Sequence, residues 1–240
     1  MRLEEFIDFS NKAASVDELF DLFRKAVQSL GIDQIVFSLM TDHVALNKSA
    51  GHGILVNYPE DWMKYYVEQG YQALDPVRHY MFAAGGPFEW DALISSPVLT
   101  KKQKTFFNEA ADAGLRIGFG IPLLGPCGAL AGFGLASSVP DLGLDKNALS
   151  YMNLLAQQFY QVYLSLEGPP RNAVPVRLTE REQEILKWCA NGKTRWEIGN
   201  LLGVSENTVD YHLRSIFRKL DTRNITVAVL AALRRGLIQL

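Results

Sequence analysis

The sequence predicts an α+β chain: an α-β-α sandwich built on an antiparallel sheet, followed by a small all-α helix-turn-helix domain. Three observations predict it. Residues 178–220 hold three helix starts in succession, each with its own capping residue. Residues 117–136 carry no charge but hold six glycines and two prolines, with G-P-C-G near the middle, so they divide into two buried strands. Residues 167–176, E-G-P-P-R-N-A-V-P-V, have three prolines and no apolar periodicity, as a linker would. The expected boundaries are 1–167 for the first domain, 168–176 for the linker and 177–240 for the second domain.

Each element has a local reason. Residues 3–14 and 16–30 are amphipathic at helical spacing; Ser15 with Glu18 caps the second helix and Gly31 stops it. Residues 34–40, Q-I-V-F-S-L-M, have the β-branched and aromatic content of a strand, and 53–57 form a second. Pro59 opens a helix that Gly70 ends, and Asp75-Pro76 starts a short one. A short strand is expected at 87–90. Thr100 caps a helix to 113, closed by Gly114; 115–123 and 129–137 are the apolar strand pair, and 144–166 form one long helix. Two runs of strands with helices before, between and after them suit helices on both faces of an antiparallel sheet.

In the second domain, T-x-x-E occurs at Thr179–Glu182 and again at Thr194–Glu197, and Ser205 heads S-E-N-T-V. Leu202-Gly203-Val204 makes a tight turn in which Gly takes positive φ. Two short helices so joined are a helix-turn-helix, whose second helix can enter the DNA major groove. Val209, Leu213, Ile216 and Leu220 should pack on Ile198, Leu201 and Val204. The other face offers Asn207, Asp210, Tyr211, Arg214 and Arg218, and Asn and Arg can reach base edges with two hydrogen bonds. Thr194, Ser205 and Thr208 sit at the helix starts. Lys193, Arg195, Lys219 and Arg223 flank the unit and could neutralise phosphates.

Charge supports that division. From Arg177 onward the chain has 11 basic and 7 acidic side chains, a balance of +4, against −2 for the whole chain, which leaves −6 before it. Hydrophobic content of 48% suits real cores. Two cysteines, Cys127 and Cys189, give neither a disulfide framework nor a zinc cluster, so a reducing cytoplasm is expected. No signal-peptide core opens the chain, and no membrane segment is expected.

Catalytic templates fail. There is no G-x-S-x-G, Gly118-Phe119-Gly120 lacks the third glycine of a dinucleotide fingerprint, and the P-loop position that should be Gly is Lys187. The four histidines have no metal-ligand spacing and are expected to be ordinary polar residues. No cofactor is implied. What stands out is a density of aromatic groups with polar tips: Tyr58, Trp62, Tyr65, Tyr66, Tyr71, Tyr80 and Trp90, with Asp75 among them. Trp62 and Tyr66 share a helix face, with Tyr58 just before it. Such groups wall a small amphiphile's pocket, although an aromatic core stripe has the same spacing.

The segments L-T-x-R-E-x-E-x-L, G-K-T-x-x-E-I, S-x-x-T-V-x-x-H and I-x-x-K-L, at 178–186, 192–198, 205–212 and 216–220, resemble the LuxR/FixJ-type DNA-binding domain. N-Y-P-x-x-W-x-x-x-Y at 57–66, Asp75-Pro76, Trp90 and E-A-x-x-A-G-L at 109–115 resemble the autoinducer-binding domain of LuxR-type quorum-sensing regulators. The resemblance implies a transcription factor, not an enzyme, that binds an N-acyl-homoserine lactone. It gives Trp62 N–H to the lactone carbonyl, Asp75 to the amide N–H and Tyr58 O–H to the amide carbonyl, with Tyr66 and Trp90 packing on the ligand. Val77, Phe106 and Ala110 join the wall by the same pattern. Gly120 and Gly134 stand where several relatives place a hydroxyl side chain, which implies room for a longer or bulkier acyl chain. The implied partners are double-stranded DNA and a second copy of the chain on a palindromic site, with RNA polymerase a further candidate. Dimerisation or core packing could use either of two apolar stripes: Leu149, Met152, Leu155, Phe159, Val162 and Leu166, or Val229, Leu230 and Leu233. The same output driven by a non-lactone molecule stays open. A phosphorelay receiver lacks its acidic cluster and strand-end Asp, and a lactone-processing enzyme lacks a nucleophile-base pair or metal site.

Overall fold

The computed structural model describes residues 1–168 and 176–239, and the chain divides into two compact units. Apart from its end residues, the linker expected over 168–176 lies outside the described residues. The first unit begins with α1 (Leu3–Ser10), α2 (Val16–Gln28), β1 (Gln34–Leu39) and β2 (Gly51–Val56). Four helices and a two-residue strand follow: α3 (Glu60–Glu68), α4 (Pro76–Met81), β3 (Phe88–Glu89), α5 (Trp90–Ile94) and α6 (Lys101–Asp112). It closes with β4 (Ile117–Leu124), β5 (Leu130–Ser137) and α7 (Ala148–Glu167). The sheet order is β2-β1-β5-β4-β3, antiparallel throughout, so the charge-free stretch is a hairpin at the sheet's middle. No helix among the described residues is long and apolar enough to cross a membrane.

Several element ends differ from expectation. α1 stops at Ser10 rather than 14, because Ala14 N–H is drawn to the Glu18 carboxylate and Ser15 is extended (φ −145°) to cap α2. The strand expected over 87–90 keeps two residues, and Trp90 begins α5 instead. α7 starts at Ala148, not 144, since Asp145 folds its carboxylate back onto Asn147 N–H at 2.8 Å.

Strand alternation makes two cores. Ile35, Phe37 and Leu39 of β1, Phe119, Ile121 and Leu123 of β4, and Ala131, Phe133 and Leu135 of β5 face α1, α2 and α7. There Phe23 stacks on Phe133 at 4.3 Å, and Phe159 meets Phe133 edge-on at 4.9 Å. Each such ring contributes about 1.5–3 kcal/mol by burial. The long helix's stripe is spent in this core: Met152, Leu155, Phe159 and Val162 are buried, with Leu149 and Leu166 packed beside them. The opposite sheet face carries Val36, Ser38, Gly118, Gly120, Gly132, Gly134 and Ala136, and α3–α6 cover it with a second, aromatic core. The result is the expected α-β-α sandwich.

In the second unit α8 (Glu180–Ala190), α9 (Arg195–Leu202), α10 (Glu206–Leu220) and α11 (Ile225–Arg234) enclose a core of their own. Thr179 and Thr194 make capping boxes with Glu182 and Glu197, and Ser205 and Asn224 cap the last two helices. Gly203 has φ +65° at the turn between α9 and α10. Ile198, Val209, Leu213, Ile216 and Leu220 are buried as expected. Leu201 is not: it is 53% exposed, and Leu202 turns inward instead.

Candidate functional site

Between the glycine-bearing face of the sheet and α3–α6 lies a small cavity of about 30 Å³. Its wall includes Tyr58, Trp62, Tyr66, Asp75, Val77, Trp90, Phe106, Ala110 and Gly134, so nine of the ten expected residues converge. Gly120, the tenth, is absent from the wall.

Tyr58 follows β2, where Asn57 anchors the backbone by donating to Asp33 O at 2.9 Å. Its hydroxyl is buried without a hydrogen-bond partner among the described residues, and burial, with Asp75 nearby, pushes it well above the usual phenol range. One helical turn on, Trp62 and Tyr66 project together from α3, their rings 6.3 Å apart. Tyr66 does more than pack: its O–H donates to Asp75 Oδ2 at 2.9 Å. Asp75 caps α4, its Oδ1 accepting from Val77 N at 2.8 Å and Arg78 N at 3.2 Å. Burial drives the Asp75 carboxyl upward, against the bonds from Arg78, Tyr66 and Val77 that lower it. Trp90 completes the wall with a buried indole N–H that lacks a partner among the described residues.

The strand glycines do not leave the room expected of them. A Cβ on Gly120 would lie 2.2 Å from the Phe88 ring, and one on Gly118 would lie 2.1 Å from the Trp90 ring. A Cβ on Gly134 would meet Tyr58 Oη and Val36 Cγ1, both at 2.9 Å. The space freed by glycine is taken by side chains from neighbouring strands and from the facing layer, so it is not spare volume for a longer guest.

Sequence reasoning missed Ser38, His52 and Arg78. Ser38 Oγ and Arg78 Nη1 each lie 3.1 Å from His52 Nδ1, and the His52 ring stacks on Tyr66 with centroids 4.5 Å apart. Burial, then Arg78, lowers His52 to about 4. Period-two alternation from Val36 could have found Ser38, and the third helical position after the Asp75 cap could have found Arg78. His52 had no sequence signal. His43, equally unremarkable in sequence, is 1% exposed and bonded to Tyr160 Oη at 2.9 Å.

On the second unit, α10 presents Asn207, Tyr211, Arg214 and Arg218 to solvent, Tyr211 at 71% exposure. Asp210 stands among them but is held by Arg214 at 2.7 Å and Arg195 at 3.3 Å. Ser205 accepts from Thr208 N at 3.1 Å, and Thr194 is similarly occupied as a cap. Three of the expected phosphate cations are engaged within the unit: Arg195 with Asp210, Lys193 with Glu197 at 3.1 Å and Lys219 with Glu182 at 2.6 Å. Glu182 is 3% exposed; burial raises its carboxyl, but Lys219, Thr179 N–H and Ser215 outweigh burial and leave it lowered. Lys219 is thus paired within the unit, whereas Arg218 beside it makes no ion pair among the described residues.

Residues 15–163 match the family described as autoinducer binding domain, and residues 176–232 match bacterial regulatory proteins, luxR family. The chain is 33% identical to the HTH-type quorum sensing-dependent transcriptional regulator RpaR of Rhodopseudomonas palustris, across 100% of this chain and 96% of that protein. It is 30% identical to the HTH-type quorum-sensing regulator RhlR of Pseudomonas aeruginosa, across 92% and 89%. The crystal structure of Escherichia coli SdiA superposes with a TM-score of 0.71 at 25% identity, across 99% of this chain and 98% of that one.

Proposed function

The chain belongs to the LuxR family of regulators, an autoinducer-binding domain ahead of a helix-turn-helix, and from that premise we propose that its signal is an N-acyl-homoserine lactone and that it reads a palindromic promoter element as a homodimer. The family regulates transcription and is not one of enzymes. The observation that carries the lactone reading is the Tyr58 hydroxyl, buried and unpartnered on the cavity wall beside Trp62 and Asp75. A buried donor left unmade costs about 1–3 kcal/mol, which a ligand carbonyl would recover.

The lactone supplies what these groups lack. Its amide N–H meets a free lone pair of Asp75, its amide carbonyl accepts from Tyr58, and its ring carbonyl accepts from Trp62. The acyl tail lies along Val36, Val77, Phe106 and Ala110, each buried CH₂ adding about 0.8 kcal/mol. Enclosing the ligand orders this layer and favours the DNA-competent state through differential affinity. Asn207, Tyr211, Arg214 and Arg218 then face the bases and backbone of one half-site, and two-fold symmetry supplies the second. The dimer draws on α11, where Val227 and Leu230 are 46% and 48% exposed. The expected setting is the cytoplasm.

Mass spectrometry of small molecules extracted from the purified protein, after expression with a panel of lactones, tests this. Recovery of intact lactone at near one per chain is expected. Recovery of a different amphiphile, with no lactone retained, overturns the ligand while leaving the family intact.

A further inference from the structure

The cavity wall has one more polar group than any alkyl tail could use. Arg78 lines it, half-buried, with no carboxylate within 4 Å among the described residues, and its Nη1 rests 3.1 Å from His52 Nδ1. A guanidinium only donates, so His52 Nδ1 must be the acceptor and the ring proton sits on Nε2. That nitrogen has a single in-plane lone pair. Ser38 Oγ reaches the same atom at 3.1 Å, while its own lone pair already takes Gly53 N–H at 3.1 Å. Ser38 is 1% exposed. Two donors therefore contest one acceptor on the chamber wall, and His52 can satisfy only one of them at a time. Burial that keeps His52 neutral keeps that lone pair in place.

We propose that Ser38, His52 and Arg78 form an oxygen-reading subsite, and that the ligand's acyl group carries an oxo or hydroxyl oxygen that accepts from the donor left over. The subsite adjoins the head-group partners without using their hydrogen-bonding groups: His52 stacks on one face of Tyr66, whose hydroxyl end is committed to Asp75, and Arg78 meets Asp75 through its backbone N–H. A plain alkyl chain would cover these donors and strand one of them. An oxygenated chain would free His52 to accept from the other. A neutral oxygen suits the site better than an anion, since the Asp75 carboxylate already offsets the Arg78 charge. Selection at the glycine strand positions, which the fold has filled with rings, is thereby replaced by selection from β1, β2 and α4.

This rests on the lactone reading, and the test separates the two. Calorimetric titration of the full chain would use lactones of one chain length, either unsubstituted, 3-oxo or 3-hydroxy, together with one bearing a phenolic hydroxyl. At least one oxygenated ligand should bind about tenfold tighter than the plain one, or about 1.4 kcal/mol. Arg78→Met and Ser38→Ala should each bring that ratio below about threefold, and Arg78→Lys should restore part of it. A wild-type ratio near one, or a ratio unmoved in both variants, overturns the subsite alone. Failure of every lactone, plain or oxygenated, to bind overturns the ligand class and the subsite with it.

Discussion

Removing the Tyr58 hydroxyl should stabilise the empty protein and weaken its hold on ligand, two effects of opposite sign from one oxygen atom. Tyr58 is 8% exposed and its hydroxyl has no partner among the described residues, whereas the ring packs in the aromatic core. Tyr58→Phe keeps the ring and deletes the stranded group. An unsatisfied buried hydroxyl costs about 1–3 kcal/mol, so the ligand-free variant should gain on the order of 1 kcal/mol. For a domain of this size that is a rise of roughly 2–4 °C in Tm. With ligand bound, the variant loses one neutral hydrogen bond, about 1 kcal/mol; together with the stabilised empty form this weakens binding by about 2 kcal/mol, or roughly thirtyfold in Kd. Scanning calorimetry of the full chain with and without lactone reads both numbers from the first unit's transition. A lower Tm for the empty variant would mean that the hydroxyl has a structural partner after all. An unchanged Kd would mean that the ligand never meets it.

Three other perturbations follow from contacts in the structure. His52 is held near 4, below the free imidazole at 6.5, so protonation is disfavoured in the folded state. Its contribution is present above pH 6.5 and drains away as pH falls through 4. Urea midpoints should lose about 2 kcal/mol between pH 7.5 and 5, and His52→Gln should flatten that slope; parallel slopes in the two proteins would refute it. Gly118→Ala places a methyl group 2.1 Å from the Trp90 ring, which is confined between strand and α6, and should cost about 1–3 kcal/mol in chemical denaturation. Lys219→Gln strips the cation from a Glu182 that is 3% exposed, so it should lower the second unit's Tm by several degrees, whereas Asn207→Ala should leave Tm unchanged and abolish operator discrimination in gel shifts. Weakened DNA binding by Lys219→Gln at full stability would return that lysine to the phosphate contacts.

The outcome separates what spacing encodes from what only three dimensions hold. Caps at Ser15, Thr100, Thr179, Thr194 and Ser205 act within four residues, and each formed as the sequence implies. Helical spacing placed Trp62 and Tyr66 together for the same reason. The convergence of Tyr58, Asp75, Trp90 and Phe106 on one cavity was legible only through resemblance, because nothing local joins β2 to α6. Gly120 and Gly134 leave less room than their composition implies, because a missing side chain says nothing about which neighbour occupies its place. Ser38, His52 and Arg78 escaped notice because their partnership spans three elements. Lys219 looked like one more basic residue until Glu182 appeared beneath it, 37 positions away.

The bare strip of sheet under the cavity sets how this domain can diversify. With Gly118, Gly120, Gly132 and Gly134 offering only backbone, that part of the floor is shaped by the groups packed over it: Trp90, Met81 and Tyr58 from outside β4 and β5, and Phe88 from the edge strand β3. Trp90, Met81 and Tyr58 take no part in the ladder of β4 and β5. A lineage could therefore recarve the chamber for a new signal by exchanging roof residues one at a time, with the strand register untouched. A side chain added at one of those glycines would displace a packed neighbour before it altered selectivity.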